Sequence, residues 1–129
     1  MNKIFVTGNL TRDPETGTTK DGVNWTRFSI AVRKRHVREG EQDAIFMRVT
    51  AWRQLGDNCA KYLAKGRKVA VSGSADVYAW LSQAGEPRAL LEITADDVEF
   101  LSPKQASDVP AAPPPGDGYV EVDGEELDF

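Results

Sequence analysis

The stretch AIFMRVTAWRQLGDNCAKYLAKGRKVAVSGSA, residues 44–75, decides the fold. Ala44 to Arg53 alternates, with Ile45, Met47, Val49 and Ala51 on one side and Phe46, Arg48, Thr50 and Trp52 on the other. A period of two predicts a strand with one face toward a core. Between Asp57 and Lys65 the period changes. Cys59, Tyr62 and Leu63 stand three and four residues apart, which predicts a short helix, and Gly66 offers its stop. Lys68 to Ala75 reads as a strand again. The block is strand, helix, strand.

Outward from it the chain is mostly strand. Lys3 to Thr7 is a short apolar run halted by Gly8-Asn9, and Trp25 to Val32 alternates. In that second run Phe28, Ile30 and Val32 share one face, while Arg27, Ser29, Ala31 and Arg33 share the other. Pro14 to Asp21, with Gly17 and three threonines, predicts an exposed loop or hairpin tip. RKRHVREGEQD, residues 33–43, is too charged for a core and predicts a long hairpin connection or a flexible arm. Val77 to Leu81 opens a hairpin that Gln83 to Pro87 turns. Leu90 to Thr94 and Val98 to Leu101 supply the last strand, interrupted by Ala95-Asp96-Asp97. Several strands with one helix between the third and the fourth predict an all-β, five-stranded Greek-key barrel of the oligonucleotide-binding type, whose helix plugs one end. An SH3-like barrel and a small sandwich fit the same pattern.

With 129 residues the chain has room for one domain with a real core. Its net charge of −4 is unevenly spread. Residues 1–104 carry all 16 Lys and Arg against 13 Asp and Glu, and the remaining 25 residues carry seven acids and no base. Five of the seven prolines lie between 103 and 115. The expected organisation is a mildly basic domain over 1–102 and, over 103–129, a disordered Pro-rich linker with an acidic tip. No run is long enough to cross a membrane, and Met1-Asn2-Lys3-Ile4 does not open a signal peptide. A cytoplasmic, nucleoid-associated protein is the expectation.

Catalysis finds little to work with. Cys59 is the single cysteine and reads as a small buried hydrophobe; His36 is the single histidine and stands among exposed bases. Asp96-Asp97 reads as a turn between strand segments. Neither a metal nor a cofactor is expected, and the chain does not read as an enzyme.

Binding has better material. Phe46, Arg48, Thr50 and Trp52 would stand outward on one strand, two aromatics with a cation between them. Single-stranded nucleic acid asks for that combination of stacking and phosphate attraction. Tyr78 and Trp80 on the later hairpin could extend the surface, and Trp25 could stack on a base or pack at a strand edge. Arg27, Arg33, Lys34, Arg35, Arg38 and Arg48 are the candidate phosphate contacts.

Four segments in order carry a resemblance: KIFVTGNLTRDPE (3–15), TRFSIAV (26–32), FMRVTAWRQLGDNCAKYLAKGRKVAVSG (46–73) and EITADDVEFL (92–101). From Asn2 to about Leu101 the chain resembles the bacterial single-stranded DNA-binding proteins that form homotetramers. The resemblance implies DNA wrapped over oligonucleotide-binding barrels, with bases stacked on aromatics. Phe46 falls where the family has a stacking tryptophan, Trp52 where it has a stacking aromatic, and Trp80 where its outer hairpin carries a tryptophan. The family's further tryptophan, in the loop after the second strand, has no aromatic match here. Arg33, Lys34, Arg35 and Arg38 would act there through phosphates.

The resemblance also implies that the tip, Glu125, Glu126, Leu127, Asp128 and Phe129, docks on replication, recombination and repair proteins. An aromatic ring beside a terminal carboxylate suits an apolar pocket rimmed by bases, and upstream acids would steer it. The family's usual ending has a proline before the phenylalanine; Leu127-Asp128-Phe129 does not. The expected function is therefore sequence-independent binding and protection of single-stranded DNA, with partner recruitment through the tip. A non-enzymatic assembly factor of replication restart, an RNA-binding barrel and a protein-only adaptor are the alternatives.

Overall fold

Arg33 and Ala44 face each other across two antiparallel strands, and the alternation on either side of that pair builds the wall of the domain. The computed structural model describes residues 1–102; the Pro-rich linker and acidic tip expected over 103–129 lie outside the described residues. In chain order the elements are β1 (Ile4–Leu10), β2 (Glu15–Thr18), β3 (Asn24–Arg33), β4 (Ala44–Trp52), α1 (Arg53–Tyr62), β5 (Lys68–Leu81) and β6 (Pro87–Phe100).

The strands run β1-β5-β6-β4-β3-β2, and β1 also pairs with β3. That extra pairing, Asn9 with Ala31 and Leu10 with Ile30, closes five strands into a ring and leaves β2 outside it. Closure brings backbones close together: a Cβ on Gly8 would lie 2.6 Å from the Ala31 carbonyl oxygen, so only glycine fits there. β4 and β6 pair in parallel, and the other ladders are antiparallel. The ring and its helix between the third and fourth barrel strands are the expected oligonucleotide-binding architecture.

Phe28 and Ile30 from β3, Met47, Val49 and Ala51 from β4, Val69 and Val71 from β5, and Ile93 and Val98 from β6 fill the inside. Burying each large aliphatic side chain contributes about 1.5 to 3 kcal/mol relative to leaving it in water. α1 closes one end with Cys59, and Leu63 just beyond it is also buried.

Five local expectations need correction. The helix starts at Arg53 rather than Asp57 and ends at Tyr62, with Leu63 already extended. It can start so early because Gly56 has no side chain, letting α1 lie against the Ala51 carbonyl and the Thr26 amide. Gly66, at φ 89°, turns the chain toward β5 after the helix has ended. Pro14 to Asp21 is not all loop, since Glu15–Thr18 pairs with β3 and only the Thr19–Gly22 turn forms the tip. Ile45 is exposed, because beside Val32 it lies at the rim where both strands leave the barrel. Thr50, on the outer face, is buried under Arg27, whose Nε donates to its hydroxyl at 3.5 Å.

The fifth correction is the most informative. Ala95-Asp96-Asp97 does not interrupt the last strand. Ser72 pairs with Asp97 and Gly73 with Ala95, so Asp96 is the extra residue of a β-bulge inside a continuous strand. The bulge changes the phase of β6: Ile93 points inward before it and Val98 after it. Lys3 pairs with the bulged Asp96 carboxylate.

Candidate nucleic-acid interface

The outer side chains of β2, β3, β4 and β6 line up in rows set by strand register. One row runs Gly17, Trp25, Trp52; the next runs Glu15, Arg27, Thr50, Thr94. A third runs Ser29, Arg48, Glu92, Asp76, and beyond it Phe46 stands opposite Ala31. The long β5–β6 hairpin continues on the same side with Tyr78 opposite Leu90 and Trp80 opposite Arg88.

The aromatics remain open. Phe46 is 53% exposed, Trp52 38%, Tyr78 45% and Trp80 49%. Large apolar rings left this open on a small domain mark a contact surface. Trp52 is held at the end of β4, where the chain turns into α1, and Phe46 stands at the opposite end beside the outer hairpin. The structure thus brings the sequence-predicted Phe46, Arg48 and Trp52 together on one strand face and adds Tyr78 and Trp80 at its margin.

Trp25 is half-buried. Its ring fills the space that a side chain on Gly17 would occupy, and the Arg27 guanidinium carbon lies 4.9 Å from the ring centroid. Of the two roles open to it, packing across β2 is visible, and the ring also stands beside Trp52 in the register. The cation held near the ring is a favourable cation–π contact.

The basic segment after β3 is a structured turn. The Lys34 amide donates to the Asp43 carbonyl at 2.8 Å, the Glu41 amide donates to Arg38 at 3.0 Å, and Gly40 takes φ 83°. Lys34 pairs with Glu41 at 3.4 Å, while Arg33, Arg35, His36 and Arg38 are exposed. The turn leaves the barrel at the Phe46 end, so its bases border that end of the aromatic face.

Two residues lie outside the candidate set read from the sequence. Glu92 accepts from Arg48 Nε at 2.5 Å and is the less exposed partner, so the central cation of the strand is already engaged. Arg12 lines a recess of about 180 Å³ together with Arg27 and Arg48. Glu92 is 44 residues from Arg48 in sequence, and no local pattern could have paired them. Arg12, just after a predicted strand, had only its charge as a signal.

Cys59 lies in the core, and burial pushes its thiol up from 9.0 to about 12, which keeps it protonated and unreactive near neutral pH. Among the described residues there is no group of three or more His, Cys, Asp or Glu placed to hold a metal ion, and no helix long and apolar enough to cross a membrane.

Residues 1–101 match the family model described as the single-strand binding protein family. A protein of Caldanaerobacter subterraneus subsp. tengcongensis named single-stranded DNA-binding protein is 40% identical over 114 residues, covering 88% of this chain and 76% of its own. The protein of that name from Staphylococcus aureus strain MRSA252 is 34% identical over 109 residues, covering 84% and 70%. Single-stranded DNA-binding protein 3 of Clostridium acetobutylicum is 35% identical over 102 residues, covering 78% and 71%.

Proposed function

The chain belongs to the single-strand binding protein family, and from that premise we propose that it binds single-stranded DNA without sequence preference, making and breaking no bond. The carrying observation is the display of Phe46, Arg48 and Trp52 on the outer face of one strand, with both rings open to solvent. Each ring can stack on any base, because every base has a π-face, and each engaged base contributes roughly 1 to 3 kcal/mol. Arg27, Arg33, Arg35, Arg38 and Arg48 draw the phosphates, so affinity falls with salt. Bases in a duplex are already stacked on one another and cannot reach these rings.

The same reading extends to assembly and partners. Phe5 is 78% exposed on the far side of the barrel, and Val77 and Leu81 are exposed on the outer hairpin. These surfaces support self-association into a homotetramer, where they would be covered. Residues 1–102 act as the DNA-binding domain, and 103–129 tether the tip from Glu125 to Phe129, which recruits replication, recombination and repair proteins. Leu127 and Phe129 among carboxylates suit a partner pocket that is apolar inside and basic at its rim.

The test is tryptophan fluorescence during titration with oligo-dT and with a duplex of equal length, at low and high salt. Strong quenching by the single strand, weak response to duplex and loss of most of the change in Trp52→Ala are expected. Equal responses to both DNAs, or no quenching, would overturn the reading.

A further inference from the structure

A recess over β3, level with the part of β4 between Trp52 and Phe46, is lined by three arginines from three separate parts of the chain. Arg12 comes from the segment between β1 and β2, Arg27 from β3 and Arg48 from β4. Asp13, Glu15 and Ser29 complete its polar wall. Among the described residues neither Arg12 nor Arg27 forms an ion pair, whereas Arg48 is held by Glu92. One Asp13 oxygen accepts the Lys65 amide at 2.9 Å, which draws that carboxylate toward the backbone.

We propose that Arg12, Arg27 and Arg48 form one seat for a backbone phosphate of the bound strand, and that Glu92 holds the seat partly closed by competing with that phosphate for Arg48. The inference rests on the single-stranded DNA reading above. Three observations favour a phosphate over a base. The only aromatic in the lining is Phe28, whose ring is buried in the core, so the recess offers a base no aromatic ring to stack on. Guanidinium groups present planar forks that match phosphate oxygens in pairs. The recess also lies level with the part of β4 between its two open aromatics, where a strand stacked at both would carry its backbone across.

Arg27 is already positioned for this. Its Nε is committed to the Thr50 hydroxyl and its carbon lies near the Trp25 ring, which together fix the plane of the fork. Arg48 differs: to meet a phosphate it must share or leave the 2.5 Å contact with Glu92. Arg12 is exposed at the rim and is the cation that a phosphate would order on arrival.

The experiment is the oligo-dT titration of the full chain across a salt series, with Arg12→Gln, Arg12→Lys, Glu92→Gln and, as a control on α1, Lys61→Gln. Thermal unfolding of each variant accompanies it. Arg12→Gln is expected to bind about three- to tenfold more weakly at low salt, with maximal quenching unchanged and a log–log salt slope shallower by about 0.7. Arg12→Lys should keep the slope and lose part of the affinity. Glu92→Gln keeps an acceptor for Arg48 but removes the competing charge, so it should bind about threefold more tightly with a steeper slope. If wild type quenches but Arg12→Gln and Glu92→Gln both follow Lys61→Gln, the seat is overturned and the DNA reading stands. If wild type itself does not respond to oligo-dT, the DNA reading falls and takes the seat with it. A loss of maximal quenching in Arg12→Gln would also count against the seat, since it would mean damage to the stacking surface.

Discussion

Two outer faces of one barrel each expose an aromatic ring, and their neighbours differ in sign. On the β3–β4 face, Phe46 and Trp52 flank Arg48, with Arg27 in the adjacent row. On the β1–β5–β6 face, Phe5 stands in a row with Ser72 and Asp97, and the next row is Thr7, Ala70, Glu99. The nearby Lys3 is tied to Asp96. The first face sets guanidinium groups beside its rings, with Glu15 and Glu92 next to them in the rows, and the second sets the carboxylates of Asp97 and Glu99 near Phe5. A single open aromatic is ordinary on a protein surface, and the groups that stand beside it set which class of partner it suits. The basic face suits a nucleic acid, and the acidic one suits protein.

Both faces depend on the phase of β6, so the largest expected effect comes from resetting it. Removing Asp96 would give β6 a single alternation from Leu90 to Phe100. Either Ile93 with Leu91 or Val98 would then turn outward, and the carboxylates of one face would turn inward. The expected loss is on the order of 5 kcal/mol or more, from buried aliphatics exposed and charges desolvated. That is most of the stability of a domain this size. Thermal unfolding followed by circular dichroism checks it. A melting temperature close to wild type would show that the bulge is incidental.

Next come the rings themselves. Trp52→Ala and Phe46→Ala should each weaken oligo-dT binding by about 1 to 3 kcal/mol, roughly five- to 150-fold, with a smaller loss of stability for Phe46→Ala than for Trp52→Ala, whose ring keeps only 38% of its surface open. Phe5→Ala should leave DNA affinity per chain within about twofold and instead weaken self-association, by about tenfold or more for each ring removed from an interface. Light scattering across a dilution series reads the second effect. If Phe5→Ala lowers DNA affinity as much as Trp52→Ala at a concentration where assembly is intact, the two faces are not functionally distinct.

Much of this was legible in the sequence, for a physical reason. β3 and β4 each have one face in the core, so their periodicity announced both the buried set and the displayed set, Thr50 and Ile45 apart. The resemblance over residues 2 to 101 rested on the same strands and the helix between them, and it carried the barrel. What escaped depends on contacts between distant segments. The bulge at Asp96 broke the alternation and so looked like the end of a strand, while the pairing that shows otherwise lies on β5. Arg12, Arg27 and Arg48 meet only because β1, β3 and β4 are neighbours in the closed ring. Gly17 and Trp25 lie eight positions apart, across a hairpin whose register no composition could supply.

The smallest expected effect locates the edge of the basic face. Arg53, directly after Trp52, takes φ 58°, a left-handed conformation that disfavours side chains with a Cβ. Glycine is at ease there, so Arg53→Gly should relieve strain and stabilise the fold by about 0.5 to 1 kcal/mol, a rise of a few degrees in melting temperature. The substitution also removes an exposed cation beside the Trp52 ring. If the basic face ends at Trp52, stability rises and the salt slope of oligo-dT binding stays put. If the strand continues over the start of α1, stability rises while the slope becomes shallower by about 0.7, and the face gains a residue on the helix. A fall in stability would mean that contacts made by the Arg53 side chain outweigh the strain of its backbone.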